Sequence, residues 1–209
     1  MTSLVLYGVA PADPGAHGHD AVGGNESIVF RELGALVAPA TLAGRPGVGV
    51  ADAAAYRRAV EAAFEHGGVL PAPPGTVFRS REALVRWLEL HYFTLSDALL
   101  FVEDRVAARV YATEAGSEAP EPDAAAEAPA VGVSADAFRT LRRGAVATLA
   151  LRADPRRPAA LLSAFLVARD RWPAFQELVA EESRRTPTLD LQLAGPFPPY
   201  DFVRMQFGG

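Results

Sequence analysis

Cysteine is absent from this 209-residue chain, and so is lysine. Without a thiol there is no disulfide scaffold, no thiolate nucleophile and no zinc-finger site. Without lysine there is no phosphate-binding G-K-[ST] loop, and neither a G-x-S-x-G elbow nor an H-E-x-x-H helix occurs. All 20 basic residues are therefore arginine, a usage that reads as coding bias rather than chemistry, and 25 acidic residues bring the net charge to −5. No global field draws such a chain to nucleic acid or to an anionic membrane. Nor does any apolar run approach the roughly 18–20 residues of a membrane span. The first such run, Leu4–Val9, has no basic region before it and no small-residue cleavage pattern after it. It reads as a strand rather than a signal peptide. These absences leave a soluble, cytoplasmic protein as the expectation.

What is present is ordinary for a folded chain: 50% hydrophobic residues and 22% charged. The length allows one large or two small domains. Leu4–Val9 reads as a buried strand, and Ser27–Ala38 as another, bent or bulged at Gly34. Gly/Pro-rich loops follow each, at 11–25 and 39–50. A helix capped by Asp52 carries Tyr56, Ala59, Val60, Ala63 and Phe64 inward and ends at Gly67-Gly68. Ser80 opens a longer helix striped by Leu84, Trp87, Leu88, His91, Tyr92, Leu95 and Leu99.

From Val106 the order is strand (to Ala112), helix (Ser134–Arg143, capped by Ser134), strand (Ala145–Leu151), strand (Leu161–Val167), helix capped by Asp170, and strand from Leu189. That β-α-β-β-α-β order predicts a modified ferredoxin-like domain. The fold class is thus α+β, with an N-terminal α+β domain over 1–102 and a ferredoxin-like domain over 103–209. Residues 113–133 are acidic and rich in Ala and Pro, too poor in apolar surface to offset ordering, and are expected to be flexible.

Chemistry-bearing residues are few. Asp13, His17, His19 and Asp20 form the best metal candidate, but histidines in a Gly-rich loop read as solvated. His91 lies on an apolar stripe with no nucleophile motif to serve, and His66 suits a helix C-terminus. Glu103-Asp104 reads as an exposed turn, and Glu181-Glu182 as neighbours that point apart on a helix. The glycines of Ala43–Val50 stand in the wrong order for a phosphate loop. The arginine pairs 57-58, 142-143, 156-157 and 184-185 are scattered, as solvated helix ends and turns are. No catalytic, cofactor-binding or metal residue is assigned. The chain is expected not to be an enzyme and to need no cofactor.

Two strings are distinctive. One is Val69-Leu70-Pro71 with Gly75-Thr76-Val77-Phe78 just after it. The other is Leu193-Ala194-Gly195-Pro196-Phe197-Pro198-Pro199-Tyr200-Asp201-Phe202, whose prolines preset an extended backbone between aromatic side chains. Such a tail either clasps its own domain or offers a rigid apolar patch to a partner.

In these residues the sequence resembles the gas vesicle proteins F and L (GvpF/GvpL). The resemblance rests on Leu6-Tyr7-Gly8-Val9, on Val69–Phe78 against a V-L-P-x-x-x-G-T-V-F pattern, on Ser163–Val167 with Phe175, and on Leu193–Phe202 against L-x-G-P-W-P-P-Y-x-F. Four motifs in order span nearly the whole chain. There are departures. Ala72-Pro73-Pro74 replaces the family's Leu-Arg-Phe, Phe197 stands where Trp is usual, and a helical insertion is reduced to the acidic segment and a short helix. The resemblance implies a shortened or divergent member. Its expected role is to bind the hydrophobic shell protein GvpA or other accessory proteins during gas vesicle nucleation and assembly, in the cytoplasm and associated with vesicles. Nucleic acid and membrane are not expected partners. The contact or clasp residues would be Gly75, Thr76, Val77 and Phe78 with Gly195, Pro196, Phe197, Pro198, Pro199, Tyr200 and Phe202. A small-ligand-binding or regulatory ferredoxin-like module outside gas vesicles is the alternative.

Overall fold

The computed structural model describes residues 3–12, 26–40, 50–116, 129–152 and 161–203. The candidate metal loop (13–20), the glycine string 43–49, most of the acidic segment and Arg156-Arg157 lie outside these residues. The chain divides into two compact units, Met1–Asp104 with Pro198–Gly209, and Arg105–Phe197. Residues from Pro198 on thus cluster with the first unit although they follow the second in the chain. The fold is α+β, with antiparallel sheets.

The first unit contains β1 (Leu4–Pro11), β2 (Glu26–Phe30), β3 (Leu33–Pro39), α1 (Val50–His66), β4 (Leu70–Pro71), β5 (Val77–Phe78), α2 (Arg81–Leu90) and α3 (Tyr92–Val102). Its sheet runs β2-β3-β1-β4, with β5 also pairing on β1. The stretch expected as one strand bent at Gly34 is a hairpin. The chain reverses at Arg31-Glu32, with Arg31 at φ 54, and Gly34 is paired within β3 opposite Val29 and Ala10. Two charged residues make the turn, so no Gly, Asn or Pro announced it.

In β1 the register slips between Leu6 and Gly8, which pair with Val37 and Leu36. One extra residue, Tyr7, enters the strand there. Strict alternation would send Leu6 and Val9 to opposite faces; the bulge puts Leu4, Leu6 and Val9 in one apolar cluster with Leu84, Leu88, Leu95, Leu99 and Val102 of α2 and α3. The Ser80 hydroxyl accepts from the Ala83 amide (3.2 Å) to cap α2 as expected. The expected single long helix is two. His91 turns out of helical geometry (φ −102, ψ 11), while the bonds His91 N→Trp87 O and Leu95 N→His91 O keep the apolar stripe nearly continuous. No proline or glycine marks the break. In α1 the buried positions are Ala59, Val60, Ala63 and Phe64, and Gly67 and Gly68 follow at positive φ. Asp52 lies inside this helix rather than ahead of it.

The second unit contains β6 (Arg105–Glu114), α4 (Pro129–Leu141), β7 (Ala147–Leu151), β8 (Leu161–Ala168), α5 (Trp172–Arg185) and β9 (Leu189–Phe197). Its sheet order is β7-β8-β6-β9. This is the ferredoxin-like arrangement, with the first and third strands central. Its core stacks three phenylalanines, one each from α4, β8 and α5. Phe138 and Phe165 lie 5.8 Å apart and nearly parallel, and Phe165 and Phe175 lie 5.4 Å apart.

Two caps differ from expectation. α4 begins at Pro129, a favourable first helical residue, so Ser134 is buried inside the helix and does not cap it. Asp170 sits in a 3-10 turn, Arg169–Arg171, that precedes α5, and Pro173 occupies the first turn as expected. Thr113 and Glu114, placed in the flexible segment by composition, are paired in β6 opposite Asp190 and Leu189.

Candidate functional site

The Leu6–Val9 and Val69–Phe78 motifs, read as separate strings, build one structure. β4 pairs with Gly8 and Val9, and β5 pairs with Leu4 and Val5, so both lie along the same edge of β1. Between them the Ala72 amide donates to Tyr7 O (2.9 Å), and Leu6 N donates to Thr76 O (2.9 Å). A Cβ on Gly8 would stand 2.8 Å from Leu70 O and 3.0 Å from Val69 Cγ2. Only a residue without a side chain lets the two strands close here.

The loop between β4 and β5 reverses at Pro73-Pro74-Gly75-Thr76. The Thr76 amide donates to Pro73 O (3.2 Å), the Thr76 hydroxyl reaches the same carbonyl (2.6 Å), and Gly75 sits at φ 85. Proline followed by a positive-φ glycine is the type II pattern. Val77 is exposed, whereas Phe78 packs on the core cluster beside Trp87, ring centres 5.6 Å apart.

Tyr56 of α1 joins these motifs to the tail. Its hydroxyl donates to Ala72 O (2.7 Å), its ring meets Tyr7 edge-on at 6.1 Å, and it lies 6.5 Å from Tyr200. Burial holds its hydroxyl pKa well above the ordinary 10.0, with Tyr200 adding to the effect. Burial likewise raises Tyr200, where nearby Glu61 adds and Arg57 opposes. Tyr56 was legible only as one helix-stripe residue; its role needed the register of three distant segments.

The tail divides. Gly195, Pro196 and Phe197 end β9 in the second unit, with a cis Gly195-Pro196 peptide. Gly195 is at φ 138, and a Cβ there would meet Ala107 O at 2.9 Å and Trp172 at 3.1 Å. The register slips by one residue here, because Ala107 pairs with Phe197 but Arg109 with Ala194. Pro198 and Pro199 are buried in the first unit. Amides of Tyr200 and Phe202 fold back onto Pro198 O (2.7 Å) and Pro199 O (3.0 Å), and Val203 packs on the first unit's core. Phe202 is half-buried.

The remaining candidates are structural in setting. His66 Nδ1 lies 2.7 Å from Ala62 O in the last turn of α1. The His91 ring packs against Trp87, centres 5.2 Å apart. Glu182 is buried while Glu181 is exposed, and Arg185 Nε donates to Glu182 Oε2 at 2.9 Å. That pair holds Arg185 above its usual pKa, the hydrogen bond first and the carboxylate charge second. Among the described residues no group of three or more His, Asp or Glu side chains could hold a metal ion. Among them, too, no helix is long and apolar enough to cross a membrane.

Two α+β units with antiparallel sheets, the second ferredoxin-like, define the class. In fold the chain is similar to the crystal structure of the gas vesicle protein GvpF from Anabaena sp. PCC7120, with a TM-score of 0.77 at 14% identity, covering 99% of this chain and 100% of that one. It is also similar to the crystal structure of gas vesicle protein GvpF from Microcystis aeruginosa, with a TM-score of 0.70 at 15% identity, covering 98% and 100%. No curated protein sequence matches it. The family model described as gas vesicle synthesis protein GvpL/GvpF matches residues 3–143 and 123–204. The chain belongs to the GvpL/GvpF gas vesicle family.

Proposed function

We propose that this chain is a non-enzymatic accessory or minor structural component of the gas vesicle. It would bind the hydrophobic shell protein GvpA or other accessory proteins during nucleation and assembly, in the cytoplasm and at the vesicle. Family membership supports the coarse reading, and one structural observation supports the finer one. The residues of the distinctive motifs are spent on close backbone approach, a Pro-Gly turn and a tyrosine cluster rather than on a group poised to move protons. A shell subunit with a large apolar face must be held or placed before it aggregates, and shaped apolar surface is what that task requires.

In this reading the Gly75–Phe78 segment and the tail Gly195–Phe202 act chiefly as the clasp that shapes the binding units. The test is co-expression with the gas vesicle shell protein of the same organism, followed by affinity capture of the tagged chain. Recovery of the shell protein or an accessory protein in stoichiometric amount is expected. No association, with the other accessory proteins also present, would sink the proposal.

A further inference from the structure

Helix α3, with the sequence YFTLSDALLFV, has a single charged residue, Asp97. A helix apolar on every side is ordinarily buried on every side. This one buries only the face of Leu95, Leu99 and Val102. On the opposite face Phe93 is 78% exposed and Leu100 65%, seven residues apart and so aligned, with Asp97 between them. Leu90, the last residue of α2, is also 78% exposed.

Phe93 rests against a neighbour that is itself held by Glu32 and Arg31. Its ring packs edge-on against Tyr92 at 5.4 Å, and Tyr92 donates a hydrogen bond to Glu32 and carries the Arg31 guanidinium over its ring at 4.8 Å. The exposed charges of α2, α3 and the turn after them are Glu82, Arg86, Glu89, Asp97, Glu103 and Asp104; the Arg31-Glu32 turn adds one charge of each sign. Among these exposed charges acids outnumber bases six to two.

We infer that the outer face of α2 and α3, centred on Phe93 and Leu100, docks an amphipathic protein segment whose apolar stripe is flanked by arginine or lysine. The charge pattern selects this occupant over a second copy of the chain. Two-fold pairing of the same patch would set its acids, Glu89 and Asp97, against those of the other copy, and like charges so placed repel. The inference deepens the proposed function and rests on it only for the assumption that the partner belongs to vesicle assembly.

The test uses the full chain and two synthetic helical peptides with one leucine-phenylalanine stripe, flanked by arginines in one and by glutamates in the other. Binding of the arginine peptide is expected to be tighter by about tenfold or more. Phe93→Gln with Leu100→Gln should remove most of that binding. Glu89→Arg with Asp97→Arg should reverse the preference between peptides. Both pairs face solvent, so unchanged thermal midpoints verify the fold. Equal affinity for the two peptides, no binding of either, or binding unchanged by the glutamine pair would each overturn the inference. So would a wild-type dimer that the glutamine pair dissociates. Capture of the shell protein separates the two claims. Glutamine variants that capture it as the wild type does leave the function standing and refute the surface. A wild type that binds the arginine peptide through Phe93 but captures no vesicle protein does the reverse.

Discussion

Each unit gathers a cluster of three aromatic side chains, and the two clusters are built in opposite ways. The second unit sinks Phe138, Phe165 and Phe175 into a buried stack drawn from α4, β8 and α5. The first gathers Tyr7, Tyr56 and Tyr200 from a strand, a helix and the tail, half-buried except Tyr7, with the Tyr56 hydroxyl bonded to the Ala72 carbonyl. Phenylalanine contributes area and shape alone. Tyrosine also carries a polar tip that must find a partner once buried, which fixes position more tightly than area does. The phenylalanine cluster of the second unit therefore depends on volume, and the tyrosine cluster of the first on geometry.

The strongest way to break the comparison is Phe165→Ala. Emptying the centre of the stack should cost about 3–5 kcal/mol. Hydrogen exchange resolved by strand should show β6 and β8 losing protection while β1 and β3 keep theirs. Next come the glycines at the two strand irregularities. Gly8→Val and Gly195→Val would each force a side chain against a carbonyl oxygen, Leu70 O and Ala107 O. Each should cost about 1–3 kcal/mol or more, read from denaturant midpoints. The exchange loss should lie in the first unit for Gly8 and in the second for Gly195.

Tyr56→Phe keeps the ring and removes the bond to Ala72, costing about 1 kcal/mol at neutral pH. It also sharpens the comparison through pH. The Tyr56 pKa is raised in the folded chain, so the native state holds that proton more tightly than the unfolded state does. The stabilisation is complete below the unfolded value of about 10 and is lost as pH rises above it. Thermal midpoints measured from neutral pH to above 10 should fall more steeply for the wild type than for Tyr56→Phe. The smallest effect expected is Ser80→Ala, about 0.5–1 kcal/mol from loss of the α2 cap.

How much of this was legible follows the same division. In the second unit, period-2 and helical patterns are local, and the β-α-β-β-α-β order could be read directly from them. Its helix starts were misplaced because Ser134 and Asp170 are good caps by type, yet neither stands at a helix start. In the first unit the Ser80 cap and the buried stripe were readable. The Arg31-Glu32 turn and the His91 break were not, for neither uses the residues that ordinarily mark such places. The tyrosine cluster joins segments separated by tens of residues, and no local pattern encodes it. The exposed face of α3 did leave a signal, an apolar helix with one charge, but a stripe of Leu95 and Leu99 accounts for only half of it.

Deletion of this gene in a vesicle-forming host, with vesicles counted by electron microscopy and the gene restored in trans, tests the central claim most directly. The account predicts few or misshapen vesicles, recovered by the wild-type gene. Normal vesicles in normal number without it would contradict a role in assembly.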